Sequence, residues 1–146
     1  DFKWVLKQEL RNIPGLGIGC EKVGHIFIDR ADPQHALSAL KAAQSTVING
    51  TSVVFFPEGT RGTAGKMGDF KKGAFRFALE TGLPLLPITL TNTGTLLPPH
   101  TVNLRPGRAT MIIHQKIEVT GYTPQHLDEL MHRAKTTILA GLEKDS

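Results

Sequence analysis

Apolar and polar positions change rhythm several times along these 146 residues, and each change marks an element. Phe2-Lys3-Trp4-Val5-Leu6 reads as a short strand, and Gly24-His25-Ile26-Phe27-Ile28 as a second that ends at Asp29-Arg30. Between them, Ile13 to Gly19 is Gly-rich around Pro14 and predicts a turn with a short irregular helix. Asp32 predicts an N-cap with Pro33 at the first helical position. Leu37, Leu40, Ala43 and Val47 then recur at helical spacing until Asn49-Gly50. Val53-Val54-Phe55-Phe56 predicts a buried strand stopped by Pro57 and Gly59.

The second half follows the same alternation. Asp69 predicts the cap of a helix that puts Phe70, Ala74, Phe77 and Ala78 on one face and stops at Gly82. Leu85 to Leu90, interrupted by Pro87, and Ala109 to His114 predict two further strands. Thr123-Pro124 opens a last helix with Leu127, Leu130, Met131, Ala134, Ile138 and Leu142 facing inward. Strands alternating with helices predict an α/β fold, its largely parallel central sheet flanked by helices on both faces, in a single domain 1–146.

Composition alters this picture little. The apolar fraction of 40% and the charged fraction of 21% are ordinary for a globular chain. The single Cys20 excludes an internal disulfide and fits a reducing compartment. Seventeen Lys and Arg against thirteen Asp and Glu leave a net charge of +4. Much of that excess is local: Arg61, Lys66, Lys71, Lys72 and Arg76 stand against Glu58 and Asp69 in residues 58–76. Such a stretch suits an anionic ligand or an anionic membrane surface, and it equally suits a solvated helix face. With one Trp, one Tyr and no recognised motif, nucleic-acid binding is not expected.

No apolar run approaches the roughly 20 residues of a membrane-spanning helix; the stretch from Leu83 to Leu90 is broken by Pro84 and Pro87. There is no initiator Met and no signal-peptide pattern, and the chain opens at Asp1 directly into a strand-like segment. An N-terminal part preceding Asp1 is therefore expected.

Several chemistries can be set aside. Gly15-Leu16-Gly17-Ile18-Gly19-Cys20 lacks the third Gly of G-x-G-x-x-G, and the segment ending at Gly65-Lys66-Met67 lacks both the first Gly and the terminal Ser or Thr of a P-loop. Six His and one Cys show no metal-ligand spacing, and no G-x-S-x-G is present. What stands out is Phe55-Phe56-Pro57-Glu58-Gly59-Thr60-Arg61, a carboxylate and a guanidinium leaving one strand-ending turn. Open α/β sheets bind ligands at strand ends, and a fixed Arg beside outward-facing backbone N–H groups suits a phosphate monoester.

Four segments together resemble the glycerolipid acyltransferase family that includes the 1-acylglycerol-3-phosphate acyltransferases. They are Lys7-Gln8-Glu9-Leu10, similar to the family's K-x-E-L element, then Ile26-Phe27-Ile28-Asp29-Arg30, Phe56-Pro57-Glu58-Gly59-Thr60-Arg61 and Leu83-Pro84-Leu85-Leu86-Pro87, in the family's order. The resemblance implies acyl transfer from a coenzyme A or acyl-carrier-protein thioester to the free hydroxyl of a lysophospholipid acceptor, with no bound cofactor or metal. It implies that Arg61 and Lys7 hold the acceptor's phosphate, that Arg30 and Glu58 bind or orient the glycerol phosphate, and that the Gly59-Thr60 backbone lines the pocket. Two alternatives stay open: Glu58 as a brace for Arg30 or Arg61, and Lys7 as a solubilising surface charge.

The family's first block, H-x-x-x-x-D, supplies a general base and its orienting carboxylate. None of the six His has an Asp five positions later; after His25 that position holds Arg30, and His25 reads as a packed or partly exposed strand residue. Gly62 also stands where the family often has Ser. The expectation is an acyltransferase chain whose His-Asp pair and main membrane anchor lie upstream of Asp1, working at the cytoplasmic face of a membrane. This chain alone would then turn over very slowly. A non-catalytic module that binds anionic lipid headgroups is the alternative.

Overall fold

The computed structural model describes every residue except Arg30, Asn49, Arg61, 63–65, 99–100, 102 and 144–146, and within the second α-helix it leaves out the side chains of 33, 35, 37, 46 and 48. The described chain forms two compact units, Asp1–Phe56 and Pro57–Ser146. Both combine strands and helices, so the α/β class holds.

In the first unit, β1 (Phe2–Lys7) runs into a 3₁₀ turn (Gln8–Asn12) and α1 (Leu16–Lys22), then β2 (Ile26–Ile28), α2 (Pro33–Ile48) and β3 (Ser52–Val54). The strands lie in the order β2-β1-β3, and both pairings with the central β1 are parallel. Parallel neighbours need long crossovers, here supplied by the turn with α1 and by α2. The register sets Val5 opposite Ile26 and Trp4 opposite Val54. Val5, Ile26, Leu40, Ala43 and Val47 are buried, which bears out the apolar stripe of α2 at those positions; Leu37's side chain and Asn49 lie outside the described set. The Asp32 carboxylate accepts the Gln34 N–H at 2.9 Å, the N-cap bond expected at that helix start. β3 is shorter than its apolar run: it ends at Val54, and Phe56 instead stacks on Trp4 with ring centroids 5.4 Å apart.

The second unit holds α3 (Gly73–Thr81), β4 (Ile88–Thr91), the one-turn α4 (Thr93–Leu96), β5 (Thr110–Ile113), a 3₁₀ turn (Pro124–His126) and α5 (Leu127–Glu143). Phe70, Ala74, Phe75, Phe77 and Ala78 form its core with Ile117, Val119, Leu127, Leu130 and Ala134. Gly82 ends α3 at φ 70°, a left-handed residue that glycine adopts without strain.

Two expectations need correction here. Asp69 does not cap α3, because Lys72 occupies the cap position and the Asp69 carboxylate accepts from Lys135 Nζ at 3.2 Å. The strand expected over 85–90 starts only at Ile88. Pro87 has no N–H to give a ladder and contributes its carbonyl, which accepts the His114 N–H at 3.1 Å. Ahead of it, Leu85 makes an isolated bridge to Ile117.

β4 and β5 pair antiparallel, the exception to the largely parallel pairing that the strand–helix alternation predicts. Their faces are inverted relative to a simple surface ribbon. Thr89 and Thr91 are buried, whereas Ile88 with its partner Ile113, and Leu90 with its partner Met111, are exposed.

Candidate functional site

Lys7 closes β1 and is exposed. Its register partner is Ile28, the last residue of β2, so in the parallel sheet Lys7 stands level with the point where the chain leaves toward Asp29. That exit is built by two acidic side chains. The Asp29 carboxylate accepts the Ala31 N–H at 2.8 Å, and Asp32 caps α2. Arg30 sits between them in sequence and lies outside the described residues. His25, just ahead of β2, is half-buried, and its Nδ1 accepts the Trp4 N–H at 3.4 Å, in keeping with a packed strand residue.

The first unit also holds a cavity of about 320 Å³ that none of the motifs anticipated. It is lined by the small α2 residues Ala39, Ala42 and Ala43, and by Gln8, His25 and Phe27 among others. Arg11 pairs with Glu21 on its wall and lies 5.8 Å over the Phe27 ring.

In the second unit, Pro57, Glu58, Gly59 and Thr60 begin a loop that ends at Lys71, whose N–H donates to the Pro57 carbonyl at 2.7 Å. Gly59 has φ 76°, where a side chain would be strained, so the glycine lets the chain reverse directly after Glu58. The Glu58 carboxylate is half-buried, and its Oε2 accepts the Gly68 N–H at 2.7 Å. Thr60 is exposed, and Arg61 lies outside the described residues.

The structure therefore joins Glu58, Gly59 and Thr60 in one loop and sets Lys7 at a strand end of the other unit. Gly68 is the hydrogen-bond partner of Glu58 that the motifs missed. The donor is a backbone N–H ten residues along the chain, so no side chain marks the contact in the sequence.

The basic stretch is only partly compensated. Lys72 pairs with Asp128 at 3.1 Å, while Lys66, Lys71 and Arg76 are exposed. Among the described residues, no three His, Cys, Asp or Glu gather as metal ligands would, and no helix is long and apolar enough to cross a membrane.

Comparison with known proteins bears out the family resemblance. The Acyltransferase family model matches residues 1–91. A 1-acyl-sn-glycerol-3-phosphate acyltransferase of Chlamydomonas reinhardtii is 35% identical over 142 residues, covering 97% of this chain and 42% of that protein. The chloroplastic 1-acyl-sn-glycerol-3-phosphate acyltransferase of Brassica napus is 40% identical over 117 residues, covering 80% of this chain and 34% of its own. Among solved structures, the 1-acyl-sn-glycerophosphate acyltransferase PlsC of Thermotoga maritima superposes with a TM-score of 0.79 at 32% identity, over 97% of this chain and 56% of that one. The chain spans about a third to a half of the curated relatives' length.

Proposed function

Because this chain belongs to the acyltransferase family, we propose that it serves the acylation of 1-acylglycerol 3-phosphate by a thioester of coenzyme A or acyl carrier protein. The observation that carries this reading is the likeness, over nearly the whole chain, to relatives named for that acceptor. In this reading Arg61 and Lys7 hold the phosphate, Arg30 and Glu58 bind or orient the glycerol phosphate, and the Gly59-Thr60 backbone lines the pocket. A guanidinium grips a phosphate through two parallel N–H···O bonds, and an ammonium adds a point charge.

In the reaction, the acceptor hydroxyl attacks the thioester carbonyl, the new C–O bond forms, and the C–S bond breaks. The hydroxyl proton must leave and the thiolate must gain one, which is work for a general base. In this reading the base, which no H-x-x-x-x-D within these 146 residues supplies, comes from outside them. Loss of that group costs a factor of about 10²–10⁴ in rate. Both substrates are amphiphiles, which suits a membrane surface, and this reading takes its cytoplasmic face.

The test combines binding with thiol release. The 146-residue chain should bind lysophosphatidate and release thiol from acyl-coenzyme A only slowly. Weakened binding in Lys7→Ala and Arg61→Ala is expected. Rapid turnover by this chain alone would refute the external base, and absence of lysophosphatidate binding would refute the phosphate seat. The exposed cations Lys66, Lys71 and Arg76 also favour a second reading, a headgroup-binding module without catalysis. If thiol release stays absent after a His-Asp segment is joined upstream, that second reading is correct.

A further inference from the structure

We infer that Glu58 is a positioning residue, whose carboxylate clasps backbone of its own loop through Gly68 and so holds the turn at Gly59 and Thr60. The inference rests on the phosphate-binding reading above for its purpose, though not for its geometry.

Three contacts define the clasp. Glu58 Oε2 accepts the Gly68 N–H at 2.7 Å, ten residues along the chain. A Cβ at position 68 would lie 3.1 Å from that same oxygen, and a Cβ at position 62 would lie 3.3 Å from it and 3.2 Å from the Lys66 carbonyl oxygen. Two stretches of backbone therefore close on one carboxylate oxygen, and glycine at both positions is what lets them approach. The third contact is at the base, where the Lys71 N–H meets the carbonyl of Pro57, the residue before Glu58.

A loop tied only at its base would keep most of its freedom. A second tie, between Glu58 and Gly68, removes conformations of the chain next to those two residues before any ligand arrives. A charged acceptor strengthens such a bond relative to a neutral one. Gly59 and Thr60 follow Glu58 directly, so holding that turn lowers the entropy lost when a phosphate meets their backbone. This also separates two roles that the motif leaves together. The Arg supplies the charge for the ligand, and the Glu supplies the frame.

Amide hydrogen exchange of the 146-residue chain, followed residue by residue by NMR, tests the clasp without needing turnover. In Glu58→Ala the Gly68 amide should exchange about fivefold to tenfold faster than in the unmodified chain, with the amides of α5 unchanged. Glu58→Gln retains an oxygen that can accept the same N–H, so it should stay within about threefold of the unmodified chain. If Glu58→Ala unfolds the protein, Gly68→Ala attacks the clasp from its other side and should speed exchange at Gly62 and at position 68. Unchanged Gly68 exchange in Glu58→Ala, or acceleration as large in Glu58→Gln, would overturn the clasp.

Lysophosphatidate titration of the same samples separates this inference from the reading it serves. Weaker binding in Glu58→Ala with recovery in Glu58→Gln supports the positioning role. Equal affinity in Glu58→Ala and the unmodified chain overturns that role. Binding to no variant removes the phosphate-seat reading, while exchange at Gly68 still decides whether the clasp exists.

Discussion

Asp32 and Asp69 look alike in the sequence, since each precedes an apolar pattern of helical spacing, yet they do different work. Asp32 has Pro33 behind it, a residue without an N–H and with φ already near the helical value, and its carboxylate reaches the Gln34 N–H. Around Asp69 the backbone is committed elsewhere: the Lys71 N–H is held by the Pro57 carbonyl, and the helix starts at Gly73. Replacing Asp32 by Ala should cost about 1 kcal/mol in urea unfolding. Replacing Asp69 should cost under about 1 kcal/mol, because its bond to Lys135 is largely solvated. At the candidate site, too, side chains can be proposed from the sequence more readily than their partners. The motif offers Glu58 and Arg61 as candidates, and the order of the segments offers Lys7. The partner of Glu58 could not be read, because a carboxylate's hydrogen bond to a backbone N–H ten residues away leaves no side-chain signature at Gly68.

At the scale of elements, the apolar pattern located the strands and helices but not the polar contact where α5 meets the β4–β5 ribbon. The Thr89 hydroxyl donates to the Ile138 carbonyl at 2.8 Å and lies 2.7 Å from His114 Nε2. With that proton committed to the carbonyl, the hydroxyl oxygen accepts from the ring N–H. Gly141 faces this pair closely: a Cβ there would meet Thr89 Oγ1 at 2.5 Å and His114 Nε2 at 2.9 Å. The sequence offered Ile138 and Leu142 as the inward positions, and nothing in periodicity reveals that the tight approach falls between them. Gly141→Ala should therefore destabilise the chain by about 1–3 kcal/mol through overpacking, despite alanine's better helix propensity. Thermal unfolding measures it, and an increase in stability would show that α5 can shift without cost. In the first unit, Gly17 faces an equivalent constraint, because a Cβ would run into the Arg11 carbonyl. Gly17→Ala should lower stability by a similar ~1–3 kcal/mol.

At the scale of the whole molecule, charge sets how an anionic ligand is drawn in. The net charge is only +4, but no Asp or Glu occurs between Glu80 and Glu118, while Arg105, Arg108 and Lys116 fall within that span. Lysophosphatidate binding should weaken as salt rises, and a residual affinity at about 1 M salt, where screening acts within ~3 Å, would report direct grip on the phosphate. Complete insensitivity to salt would argue against a cationic seat. The α/β class, the parallel pairing of the first unit and the family could all be read from the chain, because crossover length and motif order are local properties. The reversal between β4 and β5 could not be read, because it depends on what a long Pro- and Gly-containing connection does in space.

A ribbon that turns its threonines toward a helix and its isoleucines, leucine and methionine toward water has a practical consequence. Met111 and Ile113 remain 61% and 62% exposed beside Ile88 and Leu90, enough oily surface in one place to wet poorly and to stick. The purified chain should brighten an environment-sensitive dye and should pelletise more readily as its concentration rises. Met111→Lys with Ile113→Lys should quench the dye signal and keep the solution clear, while leaving the α5 side of the ribbon as it was.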